Sequence, residues 1–232
     1  MVAGPHPERL AGIPLIANAL LLVGPPGAGK GTQSHALAAE FGIPEISTGL
    51  MLRDAVERKT PLGMAAQTSM ESGVLVPDGL VCQLVEDRIA EPDCARGFIM
   101  DGFPRNLNQA VFLEGLLCSE GGFRMLALNI RVAQETLLKR LAGRRVCPVC
   151  GRNYNIFFGP PRKEGVCDNE GSALAQRPDD NEDVIRRRLG EYEKQTQPLI
   201  DHYRSLGLLR EVDGGGTSGT VTAAIFAILR AS

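Results

Sequence analysis

The chain has 232 residues, 44% of them hydrophobic, which is enough for one sizeable core carrying inserted subdomains. Its 25 basic and 27 acidic residues leave a formal charge of −2, so charge gives no case for a nucleic-acid or membrane-surface partner. Arg140, Arg144, Arg145, Arg177, Arg186, Arg187 and Arg188 nevertheless crowd the C-terminal half, a first sign of anion binding.

Residues 1–17 carry Pro5, Pro7 and Pro14 and read as an N-terminal extension with little regular structure. The apolar stretch from Leu10 to Val23, preceded by Arg9 and containing Ala17-Asn18-Ala19, has the outline of a secretory leader. Pro14 interrupts it, it is too short to span a bilayer, and cleavage after Ala19 would cut into the next strand. The expected compartment is the cytoplasm. Ala19–Val23 reads as a buried parallel strand. A glycine-rich turn then leads to a helix over about 30–41, and Ile43–Ser47 to a second short strand.

Residues 48–76 carry helical pieces punctuated by Pro61, Gly63 and Gly73, and Val81, Leu84, Val85 and Ile89 recur at helical spacing. Gly97–Asp101 is a strand ending in a carboxylate, 107–119 a helix, Met125–Ile130 another strand, and 134–142 another helix. Residues 144–178 break this rhythm, with Pro, Gly, Tyr, Phe and Cys but no helical period, and read as an insertion with its own structure. Ile185, Leu189, Tyr192, Leu199, Ile200 and Tyr203 fit a long helix bent or broken near Pro198. Leu208–Val212 is a last strand, and Val221, Ala224, Ile225 and Ile228 stripe a last helix. Strands alternating with helices predict an α/β fold with a parallel five-stranded sheet covered on both faces.

Gly24-Pro25-Pro26-Gly27-Ala28-Gly29-Lys30-Gly31-Thr32 fits G-x-x-x-x-G-K-[ST] between a strand and a helix, the context a phosphate-binding loop requires. The glycines let consecutive N–H groups, from Gly27 to Thr32, converge on phosphate oxygens, and the helix N-terminus adds positive potential. Lys30 supplies a full charge near the β- and γ-phosphates, and Thr32 a hydroxyl where Mg²⁺ would sit. Asp101, at the end of its strand, is placed to act on Mg²⁺ through water.

Gly24 to Gln33, Ile46-Ser47-Thr48-Gly49, Met51-Leu52-Arg53 and Asp101-Gly102-Phe103-Pro104-Arg105, in that order, closely resemble the adenylate kinase family, from about Leu20 to the C-terminus. That resemblance implies a three-layer P-loop kinase core over 18–232, with a nucleoside-monophosphate-binding insert at 47–76 and a small β-rich lid at 144–178. It implies reversible, Mg²⁺-dependent transfer of the terminal phosphate of ATP to AMP, giving two ADP and serving nucleotide homeostasis. Arg53 and Arg105 resemble the clamps on the AMP phosphate, Gln109 the reader of its adenine, and Thr48, Val74, Leu75, Val76 and Gly102 to Pro104 further parts of the AMP site. Arg140, Arg144, Arg177 and Arg188 match the arginines that line the phosphates, the last two also reaching AMP. Asn153 and Tyr154 resemble the lid segment over the ATP base, although Tyr154 could equally pack inside the lid. Gly216, in Asp213-Gly214-Gly215-Gly216, matches the loop near the adenine of ATP.

Leu50 departs from the family, which usually has Asp there; the loss should weaken the positioning of Mg²⁺, because Leu accepts no hydrogen bond. Cys147-x-x-Cys150 and Cys167 make three quarters of a zinc ribbon, with Glu170 at the fourth position, three residues after Cys167. A structural Zn²⁺ is expected there; a metal-free lid is the other reading. Other readings of the whole are a kinase for UMP, CMP or GMP, a nucleic-acid-binding zinc-ribbon protein, and an inactive ATP-binding module. The family is often monomeric, and a monomer is expected.

Overall fold

In the computed structural model, which describes residues 18–120 and 122–230, the chain opens on β1 (Ala19–Val23), buried at every position. The expected extension over 1–17 lies outside the described residues. Then come α1 (Lys30–Phe41), β2 (Glu45–Ser47), α2 (Thr48–Glu57), α3 (Pro61–Ser72), α4 (Asp78–Ile89), β3 (Phe98–Asp101) and α5 (Leu107–Glu120). β4 (Met125–Arg131), α6 (Gln134–Ala142), β5 (Arg144–Val146) and β6 (Asn153–Asn155) follow, and α7 (Glu182–Glu191), α8 (Pro198–Ser205), β7 (Leu209–Asp213) and α9 (Ser218–Arg230) complete it.

Five strands form one sheet in the order β2-β3-β1-β4-β7, and every neighbouring pair is parallel. Alternation along β1 divides the core. Ala19, Leu21 and Val23 pack against Val81, Val85 and Ile89 of α4, Leu113 of α5, and Leu199 and Tyr203 of α8. Leu20 and Leu22 face the other way, onto Leu37 and Phe41 of α1, Leu137 and Leu141 of α6, and Ile225 and Leu229 of α9. A parallel sheet needs both faces covered, and each fully buried Leu or Ile adds about 1.5–3 kcal/mol to holding the layers together. The fold is the expected P-loop α/β/α sandwich. Because β1 lies between β3 and β4, the crevice at its carboxyl end is the switch point where ligands of such sheets bind.

The 47–76 segment is a pair of helices pressed together. Thr60 caps α3, its hydroxyl accepting from the Gly63 amide at 3.1 Å with Pro61 in the first turn. A Cβ on Gly63 would lie 2.0 Å from the Ala55 carbonyl oxygen, so only glycine lets α3 approach α2 this closely. The 144–178 segment is built on an antiparallel β5–β6 pair with added bridges at Val146–Ala175 and Val166–Ala173. Its core is small: Cys147, Tyr154 and Cys167, with Leu174 against them.

The long C-terminal helix is neither simply bent nor broken. A π turn over Tyr192–Thr196 joins α7 to α8, with the Gln197 amide bonding the Tyr192 carbonyl at 2.8 Å. Pro198 brings no N–H and a bulky ring, and one widened turn takes up the misfit.

Candidate active site

The loop between β1 and α1 curls around its own lysine. The Lys30 ammonium donates to the carbonyls of Gly24 (2.8 Å) and Pro25 (3.1 Å). Gly24 has φ +144°, and a Cβ there would stand 2.7 Å from the Ile130 carbonyl oxygen, so the turn into the loop requires glycine. Gly29, at the N-cap of α1, offers no side chain, which leaves the first-turn N–H groups free of a side-chain cap and the positive end of the helix turned to a ligand. Burial lowers the Lys30 pKa to about 8; Asp101 raises it, while Arg105, Arg188 and Arg144 lower it further.

Asp101 ends β3 beside this loop: its Oδ2 would lie 3.4 Å from a Cβ on Gly31, and the Ser47 hydroxyl reaches it at 3.5 Å. Thr32 is exposed in the first turn of α1. Leu50 is 50% exposed on α2, so it has no part in the core and offers no oxygen there.

A cleft opens between the sheet and α2–α3. Thr48, Arg53, Val74, Leu75, Val76, Gly102, Arg105, Gln109 and Arg188, all expected in the AMP site, line it. Phe103, Pro104 and Arg177 do not; Phe103 and Pro104 are buried, Phe103 in the core. The Thr48 hydroxyl and the Arg105 Nε both donate to the Gly102 carbonyl, at 2.9 and 2.7 Å. The Arg105 amide donates to Gln109 Oε1 at 2.8 Å. Desolvation and neighbouring Arg188 bring the Arg105 pKa down to about 10, and Asp101 opposes them.

On the other side of the crevice the arginines sit on two carboxylates that the sequence reading passed over. Arg144 makes a two-pronged contact with Asp180, its Nε donating at 2.7 Å. Arg188 donates to Asp179 Oδ2 at 2.8 Å and reaches Asp180 Oδ1 at 3.4 Å. Arg177 donates to Asn153 Oδ1 at 2.8 Å, and burial followed by repulsion from Arg144 and Arg53 lowers its pKa to about 9. Burial alone would raise the Asp179 carboxyl pKa; Arg188, Arg144, Arg53 and Arg177 outweigh it and hold the group below its ordinary range. Asp179 and Asp180 follow Arg177-Pro178 directly, and two acids beside a run of arginines were the available signal.

Arg140 spans loops, donating to the carbonyls of Gly214 (2.9 Å) and Gly216 (3.4 Å). Its guanidinium lies 5.6 Å from the ring centroid of Phe158, which is 55% exposed. An exposed ring faced by a guanidinium beside the phosphate loop is a surface a base can stack on; sequence reasoning missed Phe158, although two adjacent phenylalanines in a polar insertion flagged it. Tyr154 goes the other way. It is buried in the lid, its hydroxyl 2.8 Å from the Asp168 amide and 3.4 Å from Cys167 Sγ, so of its two readings the structure shows packing within the lid.

The ligand atoms of Cys147, Cys150 and Cys167 all lie within 4.8 Å of one another, and the Sγ atoms of Cys150 and Cys167 are 3.7 Å apart. Sulfurs at about 2.3 Å from a tetrahedral zinc ion stand close to that separation, so the three thiols fit the metal. Burial works against the Cys147 thiolate, but the Ser172 hydroxyl and the Cys150 and Val149 amides outweigh it and bring its pKa below the usual thiol range. Glu170 is not gathered into this group; its side chain is exposed on the turn after Cys167.

A family model described as "Adenylate kinase" matches residues 22–208. An adenylate kinase of Shouchella clausii is 50% identical over 210 residues, covering 90% of this chain and 97% of that protein. One from Carboxydothermus hydrogenoformans is 50% identical over 89% of this chain and 96% of its own, and one from Thermodesulfovibrio yellowstonii 48% identical over 90% and 98%.

Proposed function

The chain belongs to the adenylate kinase family and catalyses Mg²⁺-dependent phosphoryl transfer between ATP and AMP, and from that premise we propose how its residues divide the work. The backbone of Gly27 to Thr32 and the Lys30 ammonium hold the β- and γ-phosphates of ATP, with the adenine stacked at Phe158 and Arg140 beside Gly216. Arg53 and Arg105 grip the AMP phosphate, Thr48 and the backbone of Val74 to Val76 line its pocket, and Gln109 reads its base. Arg144, Arg177 and Arg188 surround the group in flight. Metaphosphate-like transfer asks the protein for alignment and charge, and a ring of guanidiniums supplies both without a tuned general base. Mg²⁺ arriving with ATP would supply charge neutralisation at the phosphates; Asp101 and Thr32 are the side chains that would meet it, with no carboxylate at position 50 to assist.

The 47–76 insert and the 144–178 lid close over the two nucleotides, excluding the water that would otherwise accept the phosphate. Cys147, Cys150 and Cys167 would hold a structural zinc ion in that lid, and Glu170 would have to swing in from its exposed turn to complete the set. The enzyme works as a cytoplasmic monomer without nucleic-acid or membrane partners; among the described residues no helix is long and apolar enough to cross a membrane.

The observation that carries this reading is the convergence of Lys30, Arg53, Arg105, Arg144 and Arg188 on one crevice, close enough to shift one another's proton affinities. Two polyphosphates end to end are what such a cluster accommodates. A coupled assay with Mg·ATP against AMP, UMP, CMP and GMP should give turnover with AMP far above the others. Arg105→Ala should cut AMP turnover by about 10²-fold or more. Preference for another acceptor, or full activity in that variant, would overturn the division proposed here.

A further inference from the structure

Gln109 is nearly fully buried, at 2% exposure, on the wall of the AMP cleft, and both ends of its amide are committed. Its Oε1 accepts from the Arg105 backbone amide at 2.8 Å. Its Nε2 donates to Asp78 Oδ1 at 2.7 Å. The same carboxylate oxygen takes a second hydrogen bond, from Asn106 Nδ2 at 2.8 Å, while Asn106 Oδ1 accepts from the Gln109 amide at 2.9 Å. A backbone N–H can only donate and an ionised carboxylate can only accept, so each partner independently dictates which end of the amide faces it. Turning Gln109 over would set oxygen against carboxylate and NH₂ against N–H, two buried conflicts at once.

Each end of the amide retains one unused capacity: a second lone pair on Oε1 and a second hydrogen on Nε2. Adenine presents an N6–H donor beside the N1 acceptor and meets that order directly. Guanine and hypoxanthine present an O6 acceptor beside an N1–H donor, the reverse, and only an inverted Gln109 would suit them. We propose that Asp78 is a specificity-determining residue: by fixing the orientation of the Gln109 amide, it makes the acceptor site accept 6-aminopurine monophosphates and reject 6-oxopurine ones. Asp78 acts through Gln109 and is therefore a positioning residue. Asn106, held by the same two rules, keeps the Asp78 carboxylate aimed. This inference rests on the reading of Gln109 as the contact to the acceptor base.

The test compares kcat/KM for AMP and IMP, with saturating Mg·ATP, in the parent, Asp78→Asn and Gln109→Ala. IMP differs from AMP at this edge and nowhere else that matters here. Asn at position 78 keeps the shape but not the charge, so an inverted Gln109 no longer sets its oxygen against a carboxylate, and the Arg105 amide is left as the stronger of the two locks. Asp78→Asn should narrow the AMP-to-IMP ratio by about tenfold or more, through acceptor KM, with the KM for ATP unchanged. A merely structural role for Asp78 would depress both acceptors alike and leave the ratio at the parent value, and that result overturns the proposal. Gln109→Ala separates the two levels. If it narrows the ratio while Asp78→Asn does not, the lock fails and the base contact stands; if it leaves the ratio unchanged, the base contact itself fails. Should Asp78→Asn not fold, Asp78→Ser is compared in the same way, since it also removes the fixed charge.

Discussion

Lys30 shows what a motif can and cannot say about one side chain. Its place in the phosphate loop was legible because every part of that loop lies within nine residues of chain. Its protonation was not, since burial sets it first and the charges that adjust it come from β3, the loop after it, α7 and the lid edge. Desolvation has brought its pKa to about 8, so the free enzyme carries most of the charge at pH 7 and loses it as pH rises through that pKa. Phosphate contact favours the protonated form and raises the pKa again, so binding above pH 8 takes up a proton. ATP affinity should therefore be flat below pH 7 and weaken by about tenfold at pH 9. Lys30→Arg keeps its charge across that range and should flatten the profile, whatever its affinity at neutral pH. Calorimetric Kd values for ATP between pH 6.5 and 9.5 check both; a parent profile flat to pH 9.5 would contradict the depressed pKa. Asp179, Asp180 and Phe158 stayed hidden for a related reason. Their partners lie elsewhere in the chain, Phe158 for instance meeting Arg140 across the lid hinge, and neither pairing has a spacing rule.

At the scale of elements, helical stripes and apolar runs placed the five core strands and α1, α5 and α6 within two residues, because burial leaves a pattern in the sequence, whereas α2, α3, β5 and β6 were read only as parts of insertions. The second strand starts two residues later than expected, at Glu45: Pro44 has no N–H for the ladder, although its carbonyl still accepts from the Ile99 amide at 2.9 Å. The π turn before α8 has a sequence cause in Pro198, but its consequence needed the fold. The widened turn delivers Thr196, almost fully buried, so that its hydroxyl donates to the Arg105 carbonyl at 2.7 Å. Arg105 is thereby held at both backbone ends, by Gln109 and by Thr196, while its side chain faces the cleft. Thr196→Val keeps the volume and strands that carbonyl, costing about 1 kcal/mol of stability. It should also raise the KM for AMP severalfold while leaving that for ATP in place, and Thr196→Ser should restore it. Unchanged AMP kinetics would mean that the π turn only accommodates Pro198 and has no part in aiming Arg105.

For the molecule as a whole, the sheet and its two helical layers carry almost all of the buried apolar surface, while the lid has a core of three side chains and a fourth half-covered one. Alternating elements made the core legible from sequence, and the cysteine spacing made the lid's thiol cluster legible as well. The fourth ligand is another matter: Glu170 has the right spacing, but its exposed turn leaves it apart from the thiols, and spacing alone does not fix where a mobile-armed carboxylate points. A segment with so little core needs a staple, so its stability should depend on the metal to a degree the sheet's does not. Purified protein should carry one zinc per chain, and calorimetry should resolve a lid transition below that of the core. Stripping zinc with a chelator should lower the lid transition by about 10 °C or more, the shift that a loss near 2 kcal/mol produces in a small unit, and leave the core transition where it was. Because Arg144, Arg177 and Asn153 lie in or beside the lid, the stripped enzyme should also show a raised KM for ATP at temperatures between the two transitions. Glu170→Ala should weaken zinc retention without touching the core. A chelated sample that melts like the untreated one would show that the thiols and Tyr154 hold the lid unaided. The three converging sulfurs would then be a packing cluster, and lid closure would depend only on the arginines and the phosphates they meet.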